Sequence, residues 1–359
     1  MWPTIERKVL SGERLSDAEG VHLLSDAPLL AMGALAHEVR SRKTDPRLVT
    51  YVIDTNPNYT NLCTVDCHFC AFYRKPGAGA PDAYTHDVEG VMRMMETADR
   101  LGATTVLLQG GLNPAIPWEF YPSIVRESRR RYPHITPHFF SAPEIHQMVE
   151  VSGLPIRGVL EALYEAGQRT LPGGGAEILA RRVRRRISIK KGGPEAWLDV
   201  HREAHRVGMR STATMMYGHV EADVEVVEHL GYIRDLQDET GGFVTYIPLA
   251  FQPWEAPAMK LPETTGFEDL KAIAVGRLLL DNFPHVKSYW IMIGPRLAQV
   301  GLSFGADDLD GTVTEEKIAH DAGAPTAQSM TVHELCRLIR EAGRRPIERD
   351  TVFNVVKEW

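Results

Sequence analysis

Three cysteines fall within eight residues, Cys63, Cys67 and Cys70, in the run NYTNLCTVDCHFCAFYR; the 359-residue chain has only one other, Cys336. Thiolates separated by three and then two residues can converge on one metal centre from a single loop. Structural zinc is nearly always four-coordinate, so it would need a fourth ligand from His68, His86 or Cys336. His68 lies between two of the cysteines, where its side chain would point away from a shared ion. A four-iron cluster needs no fourth protein ligand and leaves one iron open to an exogenous one. Spacing and ligand count favour the cluster. A zinc-stapled binding protein and a non-catalytic iron–sulfur electron carrier are the readings from other classes.

Four further groups could do chemistry. Gln109-Gly110-Gly111 is a turn whose backbone can be approached closely because it carries no side chains at two positions. Ser141 and Glu144 flank Pro143 at an expected helix start, where a carboxylate is favoured by the helix dipole. Gly173 to Gly175 with Glu177 form a strand-to-helix turn, with Glu177 expected at the helix start. His219 and Glu221 could act on a proton or bind a substrate carboxylate. Three other features read as structural. RRVRRRISIKK (181–191) holds seven cations in eleven residues; without interleaved aromatics it reads as a solvated helix face, with one arginine free to reach a carboxylate. Asp307, Asp308 and Asp310 read as a loop and helix start, and Cys336 as a buried bystander in a C-terminal helix.

The elements that must position these residues alternate. About 45 N-terminal residues have helical spacing. Short β-rich runs follow: VTYVID (49–54), TTVLLQG (104–110), ITPHFF (135–140), RTLPG (169–173), STATMMY (211–217), FVTYIPLAF (243–251), SYWIMIG (288–294) and VGLSFG (300–305). Helical stretches separate them, among them VEGVMRMMETADRLG, EAWLDVHREAHRVG, VEVVEHLGYIRDLQDE and FEDLKAIAVGRLLLDN. Eight strands alternating with helices predict an α/β chain with a (β/α)8 TIM-type barrel. The expected division is a helical extension over 1–46 and the barrel with its C-terminal helices over 47–359. Every chemically rich group follows one of the first five strands, and barrel active sites are built from the loops at the C-terminal ends of strands.

Bulk properties narrow the partners. Hydrophobic residues make up 43% and charged residues 24%, as in ordinary soluble globular chains. The formal charge of −7 gives no reason to expect nucleic acid or an anionic membrane. No apolar stretch approaches the roughly 18 residues of a membrane span. Clustered thiols without a disulfide framework suit a reducing cytoplasm.

CxxxCxxC with the aromatic Phe69 before its last cysteine resembles the signature of radical S-adenosylmethionine (SAM) enzymes. The resemblance implies a radical SAM barrel, a [4Fe-4S] cluster on Cys63, Cys67 and Cys70, SAM bound at the open iron, and a low-potential electron donor of ferredoxin or flavodoxin type. It places Phe69 beside the adenine and the Gln109-Gly110-Gly111 turn near the methionine amino group. Ser141, Glu144 and Glu177 would then face the nucleoside. Over nearly the whole length, NYTNLC, CAFYRKPG, LLQGGLNP, LPGGGAEIL, TATMMYGHVE and LQDETGGF resemble the radical SAM group of the futalosine route to menaquinone, whose substrates are small nucleosides and benzoates. SAPEI, PGGGAEIL and TATMMYG resemble the branch that cyclises dehypoxanthine futalosine, the favoured expectation, with His219 as base for the final proton. IPLAFQP, HVKSYWIMIG and DDLDGTVTEEKI resemble the alternative branch, which adds the adenosyl radical to 3-[(1-carboxyvinyl)oxy]benzoate. More distantly the chain resembles the deazaflavin-forming synthases.

Overall fold

Helices Trp2–Ser11, Asp17–Ser25 and Leu29–Lys43 open the chain. The second is fixed by a capping box in which the Glu19 N–H donates to the Ser16 hydroxyl and the Ser16 N–H to the Glu19 carboxylate. Ile5, Leu23 and Met32 from these helices are buried in the same hydrophobic core as the strands that follow. The computed structural model describes residues 1–256 and 258–358.

Eleven strands are named: β1 (Leu48–Val52), β2 (Asp54–Thr55), β3 (Thr105–Leu108), β4 (Thr136–Phe139), β5 (Thr170–Leu171), β6 (Arg210–Tyr217), β7 (Phe243–Ala250), β8 (His285–Val286), β9 (Asp308–Gly311), β10 (Arg345–Arg349) and β11 (Val355–Glu358). They pair as β2-β3-β4, β5-β6-β7-β8 and β9-β1-β10-β11. Of these pairings only β10–β11 is antiparallel. The Gln168 amide ties β4 to β5, donating to Phe139 O at 2.8 Å and Thr170 O at 3.1 Å. A parallel bridge between Lys287 and Asp308 carries β8 to β9, and β1 runs on into β2. The order therefore returns to its start, an arrangement consistent with the expected barrel.

The connecting helices are where the apolar spacing put them. In Val88–Arg100 the buried residues Val91, Met92, Met95 and Ala98 recur every three or four positions, and burying each large side chain contributes about 1.5–3 kcal/mol. Helices Pro194–Val207, Asp223–Thr240 and Gly266–Leu279 match the other three expected stretches.

The last two expected strands do not form. SYWIMIG contains the short helix Trp290–Ile293, and VGLSFG is the end of helix Pro295–Gly301 and the turn after it. A continuous apolar run suits a buried helix as well as a buried strand, and Pro295 in the first turn tips this region to helix. The strands lie nearby, in the two-residue β8 and the acidic β9. Asp308 and Asp310, expected in a loop and helix start, are thus core strand residues, paired with Arg349 and Lys287. Glu177 is not at a helix start either; the helix begins at Arg181, four residues on. Within the cationic run Arg184 is buried, not solvated.

Candidate functional site

The loop after β2 carries the three cysteines and is held by its neighbours' backbone. The Cys63 N–H donates to Arg74 O at 2.9 Å, the Arg74 N–H to Asn61 O at 2.7 Å, and the Cys70 N–H to Cys67 O at 3.1 Å. The Arg74 guanidinium donates to the carbonyls of Ala71, Phe72 and Tyr73, closing the end beyond Cys70. Asn58 bridges Gln109 in parallel register, and the Gly111 N–H donates to Thr60 O at 2.9 Å. The turn after β3 is thereby fastened to the cysteine loop. A Cβ on Gly111 would lie well inside 3.0 Å of the Leu62 carbonyl, and one on Gly110 would enter the Tyr59 ring. These glycines have a structural reason beyond the one read from sequence: the turn and the cysteine loop pack backbone to backbone.

A cavity of about 260 Å³ opens here, and Cys63, Cys67, Cys70 and Phe69 line it. So do Gln109, Gly110, Gly111, Ser141, Glu144 and Glu177. Ten residues drawn from four separate segments of the chain meet around one cavity. His219 and Glu221 do not join them. They line a different cavity, between strand β6 and helices Asp223–Thr240 and Gly266–Leu279. His219 Nε2 bonds Met216 O at 2.9 Å, and Nδ1 accepts from the Val220 N–H at 2.7 Å. Glu221 accepts the N–H groups of Gly218 and His219, and these bonds with the His219 ring outweigh burial to keep its carboxyl below the usual range.

Glu144 occupies the third position of helix Ala142–Ser152, as expected. One carboxylate oxygen accepts the Ser141 N–H and hydroxyl, both at 2.6 Å; the other accepts the Tyr59 hydroxyl at 2.8 Å and the Gly110 N–H at 3.0 Å. Burial pushes this carboxyl up to about 7 against the pull of those four donors. Glu177 is held by Lys191 at 2.7 Å, while its Oε2 has no hydrogen bond and lies 3.8 Å from the Arg184 guanidinium. Arg184, fully inside, donates to the carbonyls of Gly175, Ala176, Lys191 and Gly192 and so pins the three-glycine turn against the cavity.

A second space of about 180 Å³ lies among the strands and shares Gln109, Gly174, Thr214 and Met292 with the first. Asp54, His138, Lys287 and Arg349 line it. Burial, reinforced by Asp310, raises Asp54 to about 7, and burial beside Lys287 and Arg349 lowers His138 to about 3. His138 is therefore neutral at physiological pH.

The donor set fits an iron–sulfur cluster. All four cysteines are free thiols. Burial pushes Cys67 up to about 12 and also raises Cys70; a coordinated metal would deprotonate such thiols, with their protons released to solvent. Among the described residues no group of three or more His, Cys, Asp or Glu side chains is arranged to hold a single ion. Three thiols from one loop line one cavity, a soft donor set of the kind that holds an iron–sulfur cluster. Asn61, Arg74, Tyr59, Arg184 and Lys191 escaped the sequence reading as site residues. NYTN and FYR flank the cysteines, but the partners of Tyr59, Arg184 and Lys191 are set only by the fold.

A family model described as the radical SAM superfamily matches residues 57–233, and one described as the CofH/MqnC C-terminal region matches 240–358. The chain is 44% identical to aminodeoxyfutalosine synthase from Thermus thermophilus, over 99% of this chain and 96% of that one. It is 36% identical to cyclic dehypoxanthine futalosine synthase from Halalkalibacterium halodurans, over 99% and 95%. Among solved structures, the FeFe-hydrogenase maturase HydG from Carboxydothermus hydrogenoformans superposes with a TM-score of 0.73 at 15% identity, over 98% of this chain and 80% of that one, a likeness of fold.

Proposed function

The chain belongs to the radical SAM superfamily, and we propose that it is the futalosine-route enzyme that joins the adenosyl group of SAM to 3-[(1-carboxyvinyl)oxy]benzoate. The observation that carries this is the 44% identity to an aminodeoxyfutalosine synthase against 36% to a cyclase, over equal shares of the chain. This reverses the order of the two readings taken from motifs alone. In the cyclase reading His219 is the candidate base for the proton released on ring closure, and His219 lines a different cavity from the cysteines.

A [4Fe-4S] cluster and SAM supply a 5′-deoxyadenosyl radical on one-electron reduction. Cys63, Cys67 and Cys70 would hold the cluster, and Gly110 and Gly111, which let the turn after β3 pack against Tyr59 and Leu62, would set that turn beside the methionine. Phe69, under the Lys191 ammonium at 5.3 Å, would pack beside the adenine. Glu144 keeps the glycine turn in place through the Gly110 N–H, and Glu177 Oε2, which has no hydrogen bond and lies 3.8 Å from the Arg184 guanidinium, is the oxygen available to a ligand hydroxyl. The mostly apolar walls exclude water around a reactive carbon radical.

The test is product analysis with the reconstituted enzyme. With SAM, reductant and 3-[(1-carboxyvinyl)oxy]benzoate, the expected product is aminodeoxyfutalosine, with carbon dioxide or bicarbonate released and no matching free 5′-deoxyadenosine. Inertness toward that substrate, with free 5′-deoxyadenosine formed as dehypoxanthine futalosine is consumed, establishes the cyclase instead.

A further inference from the structure

The cationic run left over from the sequence lies against the cysteine loop. Helix Arg181–Ile187 turns Val183, Arg184 and Ile187 inward and Arg181, Arg182, Arg185 and Arg186 outward. Two contacts fasten this segment to the loop. The His68 N–H, between Cys67 and Cys70, donates to Ile187 O at 2.9 Å, and Lys190 Nζ donates to Thr64 O at 3.2 Å.

The outward cations divide by partner. Arg181 is paired with Glu195, Arg182 with Glu225 and Lys190 with Asp66. Arg185 and Arg186 are exposed and have no acidic partner among the described residues. Three residues along the chain from Arg186, Ile189 is 66% exposed. In a chain of formal charge −7, two free arginines and an exposed isoleucine in one short segment offer an anionic surface both charge and an apolar contact.

We propose that the exposed face of residues 181–191 is the docking surface for an acidic one-electron carrier protein that reduces the cluster. Arg185 and Arg186 are its steering charges and Ile189 its apolar contact. The inference rests on the reading that Cys63, Cys67 and Cys70 hold that cluster, and it adds where the electron enters. The carrier loses one electron and the cluster gains it; no atom or proton is transferred. The chemistry that fits is negative charge complementary to two arginines. The net charge of the chain disfavours such a carrier in general, and these two cations, in the segment fastened to the cysteine loop, offer it a local exception there.

The experiment uses the full chain with reconstituted cluster, a reduced flavodoxin as probe, and the variants R185E/R186E and R185Q/R186Q. Stopped-flow absorbance follows bleaching of the cluster by flavodoxin and, separately, by dithionite. Calorimetry measures flavodoxin affinity at about 20 mM and about 200 mM salt. For R185E/R186E the expected flavodoxin-driven rate falls by about tenfold or more, affinity falls in parallel, and the salt dependence disappears. R185Q/R186Q shows the same trend with a smaller loss, and dithionite reduces all forms at equal rates. An unchanged flavodoxin rate and affinity overturns the proposal. So does an equal loss with dithionite, which reports damage to the cluster, and so does lost affinity for single-stranded RNA with flavodoxin binding intact. A chain that takes up no iron refutes the cluster reading, and calorimetry then still decides whether flavodoxin binds this face.

Discussion

Adding one methyl group at Gly111 should dismantle the site while leaving the fold standing. The Cβ of Gly111→Ala would press on the Leu62 carbonyl and approach the Cys63 Cβ, both closer than 3.0 Å. Neither neighbour is the free end of a flexible side chain, so the backbone of the cysteine loop must withdraw by roughly 1 Å to restore ordinary contact. Overpacking of this kind costs about 1–3 kcal/mol. A misplacement of about 1 Å in a catalytic constellation costs about 100-fold in rate. Gly231, inside helix Asp223–Thr240, supplies the control, since a Cβ there meets nothing within 4 Å. Gly231→Ala should raise stability by about 0.5–1 kcal/mol through helix propensity. The assay is iron bound per chain after anaerobic reconstitution, SAM affinity, and turnover, with urea unfolding alongside. Gly111→Ala with full iron, wild-type SAM affinity and turnover within a few-fold would refute the backbone-to-backbone account of the glycine turn.

Three further outcomes are expected. Replacing Cys63, Cys67 or Cys70 by alanine abolishes cluster uptake and activity, measured as iron and sulfide content, whereas Cys336→Ala, in helix Val332–Glu341, leaves both unchanged. Arg184→Met strands the four carbonyls that the guanidinium serves and should cost about 3–5 kcal/mol in urea unfolding, with SAM affinity falling as the glycine turn loosens; an unchanged midpoint contradicts this. Asp54, at about 7 in the fold against an ordinary value of 3.8, keeps a proton that the unfolded chain releases between those values. Its contribution to stability is therefore full below about 4 and lost as pH rises through about 7, so the melting temperature of Asp54→Asn should fall less than the wild type's between about pH 5 and 8, and parallel curves would sink the assignment.

What could be read in advance follows from range. Helix Val88–Arg100 and the three long helices after β5 announce themselves because their apolar spacing is local and strong. The first six strand positions are legible for the same reason, and with them the loops that bear the cysteines, Gln109, Ser141 and Glu177. RTLPG keeps only two ladder residues, Thr170 and Leu171. The eighth strand position was not legible. Aspartate is depleted in strands, and DLDG looks like a turn until its partners are known. Those partners are Lys287 for Asp310 and Arg349 for Asp308, 23 and 41 residues away.

That failure is informative about the site. Asp54, Asp310, Lys287 and Arg349 crowd one sector of the strand wall, where β1, β2, β8, β9 and β10 meet, and all four line the inner cavity. An apolar sector would be cheaper, because buried ion pairs seldom outweigh their desolvation. Local rules are expected to break where function requires it, and here they break beside the space that continues from the cysteines. His219 shows the converse. It was singled out because it ends a strand, yet its ring bonds are spent on its own turn and it faces another cavity. Position at a strand end brings a residue to the rim. Only the direction of its side chain brings it to the reaction, and for strand β6 that direction is supplied by Thr214 and Met216, which reach the cysteine cavity, and not by the histidine beyond them.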